Sequence, residues 1–389
     1  MISIRLVNMI GRPFKLLIVS LTLIAISACS SSGGNLPDPT PLATFKEQVQ
    51  LVEHWSVTVG EGSYKGGSLM QPVLTAKAIF AAAGPQLGSF NLDTGKANWT
   101  INLTEQITAG VGQINQQLFV ATQSGRLVAI SSDDGSVLWQ VNISSEALAA
   151  PQANSKIVVV QTVDGKVSAY AINDGKFQWS YAVSLPSLTV RGTSTPLVNE
   201  SYTYAGFASG KLVALDNQAG NVVWQKAVGS AEGRSEIERL VDVDGVLTLA
   251  DDVLYVTSYQ GNLAAIDALT GAVKWQQPVS SLNGVTLMGD AVLVVDAQDV
   301  VRAYDREQGH VLWRNDALQY RSLAAPMGLA KHVLVVDAQG YAHVLQRSDG
   351  ELLGRQKMAI KGARIGSQGY LDNIFLLSQD GRLMRLGLK

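Results

Sequence analysis

An all-β propeller of eight four-stranded blades is the fold this sequence predicts. Three observations predict it: tryptophans at a constant distance behind turn glycines, a blade-length period, and a last unit that lacks a strand the N-terminus supplies. Trp99, Trp139, Trp179, Trp224, Trp275 and Trp313 each follow a glycine by four residues, at Gly95, Gly135, Gly175, Gly220, Gly271 and Gly309. Successive glycines stand 40, 40, 45, 51 and 38 residues apart, the period of a propeller blade and not of a helical repeat.

Within the unit, the stretch from Gly261 to Gly271 is the best-formed copy, and Gly125, Gly165 and Gly210 open its variants, each ten residues before the turn glycine. Apolar and polar residues alternate between the two glycines, which is the pattern of a half-buried strand. The Asp or Asn near its end and the glycine behind it supply a tight turn, because glycine reaches positive φ at no steric cost. Upstream lies a second β-branched run, such as Ile157–Thr162 or Val253–Ser258. Before that, in four units, stand Pro72, Pro151, Pro196 and Pro326, 23 or 24 residues ahead of a turn glycine. Proline cannot donate to a ladder, so this phase suits the innermost strand, whose far side faces a central channel. The unit therefore holds four strands.

The ends of the repeat fix the blade number. Pro85 stands at the first-glycine position of the first copy, Asp299 replaces that glycine in the sixth, and Gly354 replaces the tryptophan in the seventh. The eighth copy opens at Gly381 and stops at Lys389, while Trp55, the seventh tryptophan, sits near the N-terminus with no hairpin before it. The N-terminal strand is thus expected to complete the C-terminal blade and close the ring, leaving no unpaired blade. Seven large rings at one phase are expected to pack at the seams between blades.

Residues 1–28 carry Arg5, Arg12 and Lys15 without an acidic residue, then an uncharged apolar run of 13 residues from Leu16 to Ala28. That is too short to span a bilayer and suits a secretory signal. The signal ends Ile26, Ser27, Ala28, Cys29, which resembles the lipobox of bacterial lipoproteins and makes Cys29 the lipid attachment site. Each buried acyl CH₂ contributes about 0.8 kcal/mol to anchoring. The alternative is an ordinary signal with an incidental cysteine. Cys29 is the only cysteine, so an intrachain disulfide is excluded. Ser30 stands where an aspartate would retain such a lipoprotein at the inner membrane, so the resemblance implies the periplasmic face of the outer membrane. Residues 29–45 read as a lipidated flexible tether, rich in Ser, Gly and Pro from Ser30 to Pro41, and residues 46–389 as the propeller. The net charge of −2 becomes about −5 in the mature chain, and the pI of about 6.1 offers no basic footprint for nucleic acid.

No constellation of catalytic residues emerges. His54, His310, His332 and His343 fall at unrelated phases of the repeat, with no cysteine to join them in a zinc site. Asp242, Asp244 and Gly245 have the wrong spacing for a calcium loop. The glycines from Gly60 to Gly67 precede no helix that would present a dipole to phosphate. No metal and no cofactor is expected. The segment Ala265–Gly271 with Trp275 is similar to the docking motif of pyrroloquinoline quinone dehydrogenases, whose catalytic domain is an eight-bladed propeller. Those enzymes place a pair of adjacent cysteines beside the quinone, and this chain has one cysteine. The shared motif implies a shared scaffold, and function has to be argued from a site.

Function is expected where the period is broken, because insertions in repeat proteins map to loops on one face. The 51-residue step holds Arg234, Arg239, Asp242 and Asp244, and the 45-residue step before it holds Leu188, Val190 and Arg191. The two steps are neighbours in the ring, so their loops are expected to form one surface. In its lipobox, short linker, repeats and these two stretches, the whole chain resembles the BamB lipoproteins of the outer-membrane β-barrel assembly machinery, the BAM complex. That resemblance implies a non-enzymatic periplasmic scaffold that binds the POTRA domains of BamA and assists folding and insertion of outer-membrane proteins. Unfolded outer-membrane proteins are a further partner it suggests. Carried over by position, the contact comprises Leu188, Val190, Arg191, Asp242 and Asp244, with Val190 where the family commonly has leucine. An apolar pair beside an arginine fits a small interface hot spot. The alternatives are that Leu188 and Val190 cover a blade edge, and that Asp242 and Asp244 pair with Arg234 or Arg239. Other classes of function also stand open at this point: a quinoprotein-dehydrogenase-like enzyme, or an envelope lipoprotein that binds a ligand at the channel mouth.

Overall fold

The computed structural model describes residues 37–389 apart from 63–69, 187–193, 230–234, 236–240, 244, 361–365 and 371. Pro39–Lys389 forms one compact unit. It consists of eight four-stranded sheets, all paired antiparallel between consecutive strands. Blades 1 to 7 span residues 73–102, 107–142, 152–182, 197–227, 248–278, 286–315 and 327–357, and blade 8 joins 366–388 to Leu51–Thr58. The N-terminal strand therefore closes the ring as expected, with Leu51 opposite Leu388 and Thr58 opposite Arg382.

Burial follows the position of each strand in its blade. In blade 3 the inner strand is only Gln152–Ala153, directly after Pro151. The second strand, Ile157–Thr162, is buried throughout, because both faces are covered by neighbouring blades. The outer strand Phe177–Ala182 alternates exposed and covered residues. Where glycine is replaced at the first-turn position of blade 6, Asp299 takes φ of 62°. Its carboxylate accepts the amides of Ser322 and Leu323 at 2.7 and 2.8 Å, tying that strained turn to the next connection.

Seven of the eight seams are each locked by one indole. Trp179 of blade 3 lies flat on Gly220 of blade 4, where a Cβ would come within 2.6 Å of the ring, and Gly220 holds φ of +71°. Glycine is thus required twice, by backbone angle and by space. The indole N–H donates to Asn217 O at 3.0 Å, which satisfies the one polar atom of the buried ring. The same contact and bond recur for Trp55 with Gly95, Trp99 with Gly135, Trp139 with Gly175, Trp224 with Gly271, Trp275 with Gly309 and Trp313 with Gly350. Opposite each of Trp99, Trp139, Trp179, Trp224, Trp275 and Trp313 stands a serine or alanine, followed by a bulge. Cross-strand partners share a face, so the small residue leaves room for the indole.

Because successive strands alternate in direction, every connection from an outer strand to the next blade's inner strand opens on one face of the disc. That face also carries the turns between second and third strands. It is called the connection face below.

Trp313 is 7% exposed. Trp313→Ala is expected to lower unfolding stability by about 3–5 kcal/mol in urea denaturation. Gly350→Ala is expected to lower it as well, by at least the roughly 1–2 kcal/mol of a forced left-handed conformation. Midpoints equal to the parent's would refute the lock.

Candidate partner interface

Two long connections, residues 183–196 and 228–247, join blade 3 to blade 4 and blade 4 to blade 5; the connection from blade 8 to blade 1, residues 59–72, equals the first in length. The two beside blade 4 open on the connection face, one on each side of it. Their described ends meet: the Ser194 hydroxyl, 1% exposed, donates to Gly245 O at 3.4 Å. The adjacency expected from the period is therefore present in these segments.

The second connection is inlaid between the turns of blades 4 and 5. Val241 and Val243 are buried, and the Val241 methyl lies against both Gly210 and Gly229, where a Cβ on either glycine would approach it to 2.6 Å. The Val243 amide donates to Phe207 O at 3.3 Å, and the Tyr259 amide donates to Asp242 O at 2.7 Å. Gly206 admits this path, since a Cβ there would stand 2.7 Å from Val243 O. Two apolar side chains two residues apart thus pin the connection to the scaffold by burial and by one short bridge.

Of the residues expected to form the contact, Asp242 is described and buried at 1% exposure. Its backbone sits in the bridge to Tyr259, and its side chain is not displayed on the open face. Leu188, Val190, Arg191 and Asp244 lie outside the described residues, as do Arg234, Arg239 and the lipid site Cys29. The described part of the first connection presents a further apolar residue that the repeat period does not mark. Leu185 is 42% exposed beside Gly165, three residues before Leu188 in the sequence. Its signal was an aliphatic residue between a serine and a proline, outside any strand pattern.

The four histidines differ in setting. His54 is exposed and His310 bonds Gln308, whereas His343 is fully buried in blade 7 against Asp337. Sequence phase alone did not separate His343 from the others. Among the described residues no group of three His, Cys, Asp or Glu side chains is placed to hold a metal ion.

The family model described as outer membrane protein assembly factor BamB matches residues 84–315 and 297–387, which include both long connections. Outer membrane protein assembly factor BamB of Pseudomonas aeruginosa is 42% identical over 368 residues, covering 94% of this chain and 97% of its own length. The chain belongs to the BamB family. The crystal structure of BamB from Moraxella catarrhalis superimposes with a TM-score of 0.78 at 30% identity, over 87% of this chain and all of that one. Quinohemoprotein alcohol dehydrogenase from Comamonas testosteroni aligns with a TM-score of 0.68 at 12% identity, over 87% of this chain and 76% of its own. That second likeness concerns the fold alone. BamB family membership and the propeller are thus established together, and the match spans both connections that flank blade 4.

Gly206→Ala places a methyl against the Val243 carbonyl, and is expected to lift residues 241–247 from the turns beneath at a cost of about 1–3 kcal/mol. Hydrogen exchange at the Val243 and Tyr259 amides reads this directly. Parent-like protection at both would show that the inlay does not depend on this glycine.

Proposed function

We propose that this BamB-family chain is a non-enzymatic, lipid-anchored scaffold on the periplasmic face of the outer membrane, binding the POTRA domains of BamA within the BAM complex. It assists folding and insertion of outer-membrane β-barrel proteins. The observation that carries the reading is the meeting of two long, neighbouring connections at Ser194 and Gly245 on one face of a family member's propeller. A ring with two long connections gathered beside one blade has the form of a docking platform, and loops on a scaffold carry binding more often than strands do.

In this reading Leu188 and Val190 supply the apolar anchor, with Leu185 at its edge, and Arg191 and Asp244 supply the polar rim. Asp242 acts differently from the rest. Its burial and its bridge to Tyr259 make it a positioning residue that sets the path of the second connection. Cys29 carries the lipid and Ser30 directs export to the outer membrane. The single cysteine also removes the adjacent pair that the resembling quinone enzymes use, which supports a non-enzymatic role.

Charge reversal at an interface arginine replaces attraction by repulsion across a desolvated contact. Arg191→Glu is therefore expected to abolish co-purification with BamA from solubilised envelopes while leaving the thermal unfolding midpoint unchanged. Retained co-purification would remove Arg191 from the surface. Cys29→Ser is expected to release the chain from sedimented membranes of cells lacking BamA, and to leave BamA capture by the purified propeller intact. A variant that stays with such membranes would exclude lipid anchoring through Cys29.

A further inference from the structure

One seam of the ring is closed by other means than the indole lock. Blade 8 has no turn between its third and outer strands, because Arg382–Leu388 and Leu51–Thr58 are not consecutive in the chain: Leu51 pairs with Leu388 and the Lys389 amide donates to Gln50 O at 2.9 Å. A tryptophan in blade 7 would find no turn glycine to lie on. Gly354 occupies that position, and a Cβ on it would collide with the carbonyl of Val49. Residues 40–50 fill the seam instead.

The path of this arm is held at every few residues. The amides of Gln48 and Val49 donate to Leu353 O at 2.8 and 3.2 Å, on the free edge of blade 7's outer strand. Val49 packs against the core shared by blades 7 and 8. Higher up, the Arg355 guanidinium lies over the Phe45 ring at 5.0 Å and donates to Ala43 O at 3.0 Å. At the connection face Arg321 donates to Thr40 O at 2.9 Å, and the Thr40 amide donates to Gln319 O at 3.0 Å.

Both guanidinium groups are aimed from behind by one buried carboxylate. Asp337, with no exposed surface, accepts Arg321 Nε–H at 2.7 Å, the Tyr341 amide at 2.9 Å and His343 Nε2 at 3.1 Å. A carboxylate can only accept, so His343 donates from Nε2 and leaves Nδ1 to accept Arg355 Nε–H at 3.3 Å. Burial pushes the His343 imidazole below its usual range, opposed by Asp337 and reinforced by Arg355 and Arg321, which keeps this tautomer neutral.

We infer that residues 40–50 are a closing strap, the replacement for the missing eighth lock, and that Arg321 and Arg355 are its clasps, oriented by the Asp337–His343 pair. The clasps grip backbone carbonyls, while Phe45 under Arg355 and Val49 against the core hold the strap on its path. In ring order the seam between blades 7 and 8 lies across from the junction of blades 3 and 4. The strap therefore leaves the propeller on the connection face, at the rim opposite the two long connections. If Cys29 is lipidated as proposed above, load from the membrane tether reaches the strap before any blade.

The test is a cycle of variants in the full mature chain, read by unfolding midpoint and by hydrogen exchange in Arg382–Leu388. Replacing residues 40–49 with a Gly–Ser sequence of equal length is expected to lower the midpoint and speed exchange in that strand, with blades 2 to 4 unaffected. Gly354→Ala is expected to do the same in the parent and to add nothing to the replaced chain, since its clash is with the strap alone. Should the replaced chain fail to fold, Gly354→Ala combined with Arg355→Gln decides, because both act through the strap and their shifts should not add. A replaced chain with the parent's midpoint, or additive shifts in either pair, would overturn the inference.

Discussion

The structure depends on an indole laid on a turn glycine. Seven tryptophans do this across seven seams, and in each the indole N–H reaches the carbonyl three residues before the glycine it covers. The interaction is selective because it makes two demands on one residue. The turn needs positive φ, and the ring needs the space a Cβ would take. Burying an aromatic ring contributes far more than the turn itself, and the bonded N–H removes the cost of burying its polar atom. Several of the rings also meet an aromatic neighbour at about 6 Å, as Phe119 meets Trp139 and Tyr255 meets Trp275.

A repeat array whose units contact only their neighbours is weakest at its ends. Here the ends are joined within one sheet, yet joining them there removes the turn that an eighth indole would cover. The loss of tryptophan at Gly354 and the break of the chain in blade 8 are thus one fact. The buried Asp337, whose counterpart in blade 6 is Asp296 paired with Arg302, stands where the replacement contact needs fixed donors. An ion pair this deep is retained at a desolvation cost, and its value here lies in orientation.

With the scaffold so constrained, the changes of length fall in the connections. The step from blade 4 to blade 5 is long, but its last part is pinned by Val241 and Val243 against glycines of two blades. A loop seated in this way presents its remaining residues from a fixed base, which lowers the ordering cost of binding. The likeness to a quinohemoprotein dehydrogenase at 12% identity shows how far the same mechanics extend without carrying a site.

Most of the fold was legible in the sequence, because the lock is periodic. Glycine and tryptophan at fixed spacing, prolines before inner strands and a displaced last strand together specified eight blades and their closure. The partner surface was legible only as a place: a break in the period marks a long connection but does not say which of its residues point outward. Asp242 is the instance. Its charge suggested a contact, while the burial of Val241 and Val243 on either side draws it into the scaffold. The strap was hidden for a related reason. Ser30–Pro41 has the composition of a linker, and composition does not register that Arg321 and Arg355, some three hundred residues later, hold Thr40 and Ala43 by their carbonyls. Local period and local sterics act between neighbours in the chain and are written in its order. Contacts between a backbone carbonyl and a distant guanidinium leave no such trace, and only the closed ring brings them together.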